Sequence, residues 1–165
     1  MAFVPEDGTG IAGANSYASV EQADAYFELA TGDWTGEDAD KQRWLAAATS
    51  YINTAFAPGL KCYSKLTDEQ GMLFPTKETG YPDDLIKATC EYAVRAKAGP
   101  LMPDPVVDAT GFAVVTTKKK VGPIEKEFSV AGGQQSAMLW RSYPFPDGLV
   151  RGLLCAGYGG TRVIR

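Results

Sequence analysis

The sequence predicts a mainly α-helical fold: a small bundle of about four main helices, with an extended β-hairpin and extended N- and C-terminal arms. Three observations lead there. Apolar residues recur at helical spacing through most of the first hundred positions. Each such stretch carries its own start and stop signals. The β-branched and aromatic run that would form strands is confined to residues 112–130.

The clearest helix follows Tyr81–Pro82. Pro82 suits a first helical position, where a missing N–H costs nothing. Asp83 and Asp84 favour the positive end of the helix dipole, and Arg95 and Lys97 the negative end. Gly99–Pro100 should stop it at a left-handed cap. Leu85, Thr89, Tyr92, Ala93 and Ala96 form one stripe, with Ile86 beside it. This helix should be the centre of the core.

The elements before it read as follows. Residues 1–16 are small, polar and glycine-rich, and suggest an extended arm ordered only against a partner. Ser19 and Gln22 match a capping box and open a helix with Val20, Ala23, Phe27 and Ala30 on its apolar face and Tyr26 beside it. Thr31–Gly32–Asp33 breaks it. A second helix begins near Thr35–Gly36–Glu37–Asp38 and runs to about Phe56. Its apolar face is broad: Trp44, Leu45, Ala48, Tyr51, Ile52 and Ala55. Burying Trp44 would contribute roughly 2–3 kcal/mol. Thr67 to Gln70 repeats the capping-box spacing and should open about one turn.

After Gly99 the pattern changes. Residues 101–111 are punctuated by proline. Phe112 to about Lys120 and Pro123 to Val130 read as the two arms of a hairpin. On the second arm Ile124, Lys126 and Phe128 share a face. A hairpin of this kind is marginal alone and should pair with another chain. A short last helix should start near Pro146, with Leu149, Val150, Leu153 and Leu154 apolar. The expected organisation is an arm (1–16), a bundle core (17–100), a linker and protruding hairpin (101–142), a final bundle helix (143–157) and a C-terminal tail (158–165). In the tail Val163 and Ile164 lie between Arg162 and Arg165. It has too little apolar area to hold itself down and could dock on a neighbour as an added strand.

Composition narrows the function. The chain has 165 residues, a net charge of −4 and no histidine. Its isoelectric point is near 4.9, which argues against coating nucleic acid by bulk electrostatics. Without histidine the usual general base, metal ligand and nucleophile partner are missing. Asp38/Asp40 and Asp83/Asp84 are explained by helix N-termini rather than by catalysis or metal binding. The glycine pairs at 8–10 and 157–160 lack the spacing of a phosphate loop. Cys62, Cys90 and Cys155 are odd in number and widely spaced; the expectation is three buried free thiols in a reducing compartment. No run is long and apolar enough for a membrane span, and the first residues do not read as a signal peptide. An enzyme, a metal site and a cofactor are therefore not expected.

The chain does resemble a known family. The phrases that carry the likeness run in order: Asn15–Ser16–Tyr17 through Tyr26–Phe27, Ala46 to Ile52, Leu73–Phe74–Pro75 with Tyr81–Pro82 and Ile86–Lys87–Ala88, and Lys120–Val121–Gly122–Pro123–Ile124–Glu125. Together they are similar to the head–tail connector (adaptor) proteins of tailed bacteriophages, which often go under the label DnaT-like single-stranded-DNA-binding protein. Phe74 and Thr76 stand where that family's phrase has Trp and Arg. The resemblance implies a structural virion protein, made in the bacterial host cytoplasm. It would form a dodecameric ring beneath the portal, extend the channel through which double-stranded DNA passes, and dock a stopper or tail-terminator protein. Contacts to portal, tail or sister subunits would then fall on Lys118, Lys119, Lys120, Pro123, Ile124, Phe128, Arg162, Val163, Ile164 and Arg165. Lys118–Lys120 could face the channel or an acidic neighbour, or could simply be a solvated hairpin tip. The alternative is a module that binds single-stranded DNA. It would stack bases on Tyr63, Tyr81, Tyr143 and Tyr158, with Lys61, Lys65 and Lys77 nearby.

Overall fold

The computed structural model describes residues 2–104, 116–121, 124–129 and 141–156. It is mainly helical. The elements in chain order are α1 (Val20–Phe27), α2 (Asp38–Ala55), a 3-10 turn (Ala57–Leu60), α3 (Asp83–Ala98), strands β1 (Thr116–Val121) and β2 (Ile124–Ser129), and α4 (Pro144–Arg151). Two compact units divide the chain: Met1–Leu101 with Ser142–Arg165, and Met102–Arg141.

In the first unit α3 is the centre, packed against α1, α2 and α4. Leu85, Ala88, Thr89, Cys90, Glu91, Tyr92 and Ala93 are all buried, so three sides of the helix are covered rather than one stripe. Its helix dipole is complemented at both ends, as the acids and bases foretold. Pro82 is the N-cap rather than the first helical residue, and Gly99 ends the helix with φ near +152°, a backbone state that side chains rarely adopt. Cys90 is a buried free thiol. Burial pushes its pKa up to about 12, so it stays protonated and unreactive.

α1 starts with the expected capping box: Ser19 accepts from the Gln22 amide, and the Gln22 side chain accepts from the Ser19 amide. Beyond it, Phe27, Trp34 and Trp44 form an aromatic cluster, stacked at 5.3 Å and then edge-on at 5.9 Å. Trp34 is the buried member; Trp44, expected in the core, is half-buried at its rim. Lysines cover both indoles, Lys41 over Trp34 and Lys97 over Trp44. The same two lysines bind acids. Lys41 is 2.7 Å from Asp24, and Lys97 is 2.7 Å from Asp33.

Lys97, then the Thr35 hydroxyl and amide, pull the Asp33 carboxyl from its ordinary 3.8 down to about 2. A folded pKa below the unfolded one means the interaction stabilises above about pH 4 and is lost as pH falls through 2. We expect a carboxyl-carbon NMR titration of Asp33 to have its midpoint near 2. Lys97→Met should move that midpoint back toward 3.8. A wild-type midpoint at 3.8 would remove the ion pair.

Four expectations are corrected. Residues 2–16 are not an arm awaiting a partner. Pro5 bridges Ser16, Asn15 and Val4 exchange hydrogen bonds, and Phe3, Val4 and Ile11 pack on the core. The reason is Glu6, whose buried carboxylate gathers the amides of the loop after it. Thr67–Gln70 opens no helix. Gln70 is buried, and its side chain accepts from the Thr67 amide and donates to the carbonyls of Met72, Leu73 and Pro75. The helical spacing serves a loop, which the cis Phe74–Pro75 peptide follows. Cys62 and Cys155 are not free thiols but a disulfide, with Cα atoms 6.0 Å apart. The last helix starts at Pro144, two residues earlier than expected, and ends at Arg151. Pro144 and Pro146 both sit in its first turn, where amides would lack intrahelical partners anyway.

In the second unit β1 and β2 pair antiparallel, with Thr116 opposite Ser129 and Val121 opposite Ile124. The expected C-terminal tail, 158–165, lies outside the described residues.

Candidate functional site

Two places compete, and they are built differently. The first is the lysine run. Lys118, Lys119 and Lys120 are consecutive on β1, paired in register with Glu127, Lys126 and Glu125. Ile124 and Phe128 lie on β2, opposite Val121 and Thr117. Pro123 and the four tail residues Arg162, Val163, Ile164 and Arg165 are outside the described residues.

The second place was not anticipated. A surface hollow of about 450 Å³ lies between α1, α3 and the start of α4, lined by Tyr26, Ala30, Thr31, Glu91, Arg95 and Phe145. Its polar floor is closed on itself. Tyr26 donates its hydroxyl to Glu91 at 2.9 Å, and the other Glu91 oxygen takes the Arg95 guanidinium at 2.7 Å. Arg95 also donates to the Glu91 carbonyl and covers the Tyr143 ring at 6.0 Å. Burial, and then the Glu91 carboxylate, push the Tyr26 phenol well above its usual value. The rim is apolar. Phe145 is 56% exposed, and Leu29, next to Ala30 in the chain, is 94% exposed. The i,i+4 spacing of Glu91 and Arg95 was a visible signal for the ion pair. Nothing local could place Phe145 beside it, because α3 ends at Ala98 and α4 begins only at Pro144.

The tyrosines suggested for base stacking are already engaged. Tyr143 is buried between Tyr51 and Tyr92, and its hydroxyl donates to the Leu101 carbonyl. The Tyr81 hydroxyl donates to the Tyr17 carbonyl. Tyr63 packs on Phe74 at 5.9 Å. Among the lysines, Lys65 donates to the Gln70 carbonyl; Lys61 and Lys77 are exposed. Tyr158 is outside the described residues. Asp38/Asp40 and Asp83/Asp84 sit in the first turns of α2 and α3, which accounts for them. Among the described residues no group of three or more metal-ligating side chains comes together, and no helix is long and apolar enough to cross a membrane.

Residues 1–165 match the family model described as "Putative DnaT-like ssDNA binding protein". The chain belongs to this family. The match spans every element described above, so the helical unit, the lysine-bearing strand and the tail are all family territory. No curated protein and no solved structure matches the chain.

Proposed function

We propose that this chain is a non-enzymatic structural subunit, an adaptor that forms a ring at the head–tail junction of a tailed bacteriophage and joins portal to tail proteins. The observation that carries this reading is the state of the surface around the hollow. It offers the exposed apolar side chain of Phe145 beside an ion pair whose charges are matched within the chain, and Leu29, one residue before the lining Ala30, is exposed as well. Such a surface suits a protein neighbour and gives phosphates nothing to bind. The likeness of the ordered sequence phrases to connector proteins supports this assembly, and head-to-tail contacts would close the ring. Lys118–Lys120, Ile124 and Phe128 on the strand pair would add contacts to portal, tail or sister subunits. So would the tail residues Arg162 to Arg165.

The family's description favours a second reading, binding of single-stranded DNA. Its site would be Lys118–Lys120, because Tyr63, Tyr81 and Tyr143 are engaged in packing or hydrogen bonds within the chain.

One pair of measurements separates the two. Mass determination and electron microscopy of the full chain, alone and mixed with portal, should show rings or a portal-bound collar. Titration with a fluorescent oligonucleotide should show no micromolar, salt-sensitive binding. The second reading predicts the reverse: a monomer that ignores portal, with affinity that falls as salt rises. Replacing the three lysines by Glu would then flatten the slope of log affinity against log salt by about 2. That result would displace the adaptor.

A further inference from the structure

We propose that the Cys62–Cys155 bond is a redox-sensitive latch that holds the segment after α4 onto the 3-10 turn. This goes beyond the assembly reading and does not depend on it. The bond joins two parts of the chain 93 residues apart. Cys62 stands at the surface just after the 3-10 turn, and Cys155 is half-buried at the end of the described C-terminal segment. The remaining ties of that segment are few. Cys155 donates its amide to the Gly59 carbonyl at 2.9 Å. Leu153 and Leu154 rest partly buried on the core, and their amides make only local turns to Val150 and Arg151. Among the described residues, 152–156 are held by one long-range hydrogen bond and two partly buried leucines, which puts them at the low end of local stability. The covalent bond decides whether it stays down.

The chemistry is thiol–disulfide exchange. A thiolate of a small dithiol attacks the exposed Cys62 sulfur. The S–S bond breaks, its electron pair leaves on the Cys155 sulfur, and that sulfur takes a proton from water. The Cys62 amide already points its N–H at the Cys155 sulfur, at 3.1 Å, where the negative charge develops. The second thiolate of the dithiol then attacks its own bound sulfur and releases Cys62, which is protonated. The dithiol is oxidised by two electrons to a cyclic disulfide, and the cysteine pair is reduced by two. Attack from the Cys62 side is the more open route, since Cys62 is exposed and Cys155 is half-buried. Cys90 takes no part, being buried within α3.

The test uses the full chain, oxidised with glutathione disulfide or reduced with dithiothreitol. Alkylation after denaturation should label one cysteine in the oxidised protein and three in the reduced one. Trypsin should cut after the exposed Arg151 about tenfold faster in the reduced protein, with cleavage at the exposed Arg43 and amide exchange in α3 unchanged. Cys62→Ser and Cys155→Ser should each reproduce the fast rate without reductant. If either variant fails to fold, the reduced wild-type chain carries the comparison. Three labelled cysteines after oxidation would overturn the latch. So would a rate change at Arg151 below twofold, or loss of α3 protection on reduction, which would make the bond a general staple.

Discussion

Glu6→Ala is expected to lower the stability of the isolated chain by about 3 kcal/mol and to release residues 2–16 from the core. Glu6 is 2% exposed. Its Oε1 accepts from the amides of Asp7, Gly8, Gly10 and Ile11 at 3.2, 3.1, 2.9 and 3.3 Å, and Oε2 accepts again from Ile11 at 3.0 Å. Four backbone donors converge on one carboxylate, a small anion nest supplied with its own anion. The loop can wrap so tightly because Gly8 and Gly10 take positive φ, +96° and +82°. Each orphaned amide costs about 1–3 kcal/mol if it stays buried. Relaxation of the loop toward water recovers part of that sum, which brings the expected loss to about 3. Glu6→Gln should cost roughly half as much. It keeps an acceptor of the right shape but loses the charge, and it turns an NH₂ toward the Ile11 N–H or one of the other amides. Chemical denaturation and amide exchange of residues 2–16 check both variants. If the midpoint is unchanged, or residues 2–16 exchange as freely in the wild type as in the variant, the arm is free after all and the partner-ordered reading returns.

How far the sequence could be read depends on how local the cause was. α1 and α3 were legible because their signals lie within one turn of their ends: Ser19 with Gln22, and Asp83–Asp84 against Arg95–Lys97. The core role of α3 followed from Leu85, Tyr92 and Ala93 at helical spacing. The side-chain misreadings have two origins: polar side chains that bond nearby backbone groups, which apolar periodicity does not register, and partners that lie far along the chain. Gln70 stands three residues after Thr67, as in a helix start, yet it turns to the carbonyls of Met72, Leu73 and Pro75. Glu6 gathers a loop whose glycines alone suggest flexibility. Cys62 and Cys155 meet across 93 residues, a distance over which spacing carries no information about pairing. The hollow has the same cause. Tyr26, Glu91 and Phe145 come from three helices, and only their packing brings them together. The lysine run, by contrast, was visible at once, because three consecutive lysines need no fold to be noticed.

The second large effect should come from Asp147, which fastens α4 to α3. Asp147→Ala is expected to cost about 3–4 kcal/mol and to loosen α4 from the bundle. Asp147 is buried and splits its carboxylate between two tasks. Oδ1 takes the Tyr92 hydroxyl at 2.5 Å. Oδ2 takes the Tyr143 amide at 3.1 Å and the Ser142 hydroxyl at 3.3 Å. Tyr143 is the N-cap of α4, so the second task closes the start of a helix whose first turn has two prolines and few amides to satisfy. The first task ties that start to α3 through a charge-assisted hydrogen bond, worth about 1.5–3 kcal/mol. Around it Tyr51, Tyr92 and Tyr143 pack with ring centres 4.8–5.8 Å apart. Burial, with the nearby Asp147 carboxylate, holds the Tyr51 phenol up at about 12. The Tyr51 phenol therefore stays neutral at any pH near 7, and burial raises the Tyr92 phenol in the same direction. Tyr92→Phe removes only the bond to α3 and should cost about 2 kcal/mol. Asp147→Asn keeps the shape and should cost less than Asp147→Ala. In a double-mutant cycle, Tyr92→Phe and Asp147→Asn should couple by at least about 1 kcal/mol. A coupling below about 0.5 kcal/mol would mean that apolar packing holds α4 down without the Tyr92–Asp147 bond. Because Phe145 is carried by the same short helix, the variant that loosens α4 should also disturb the apolar rim of the hollow. On the adaptor reading it should weaken assembly more than its loss of stability alone explains.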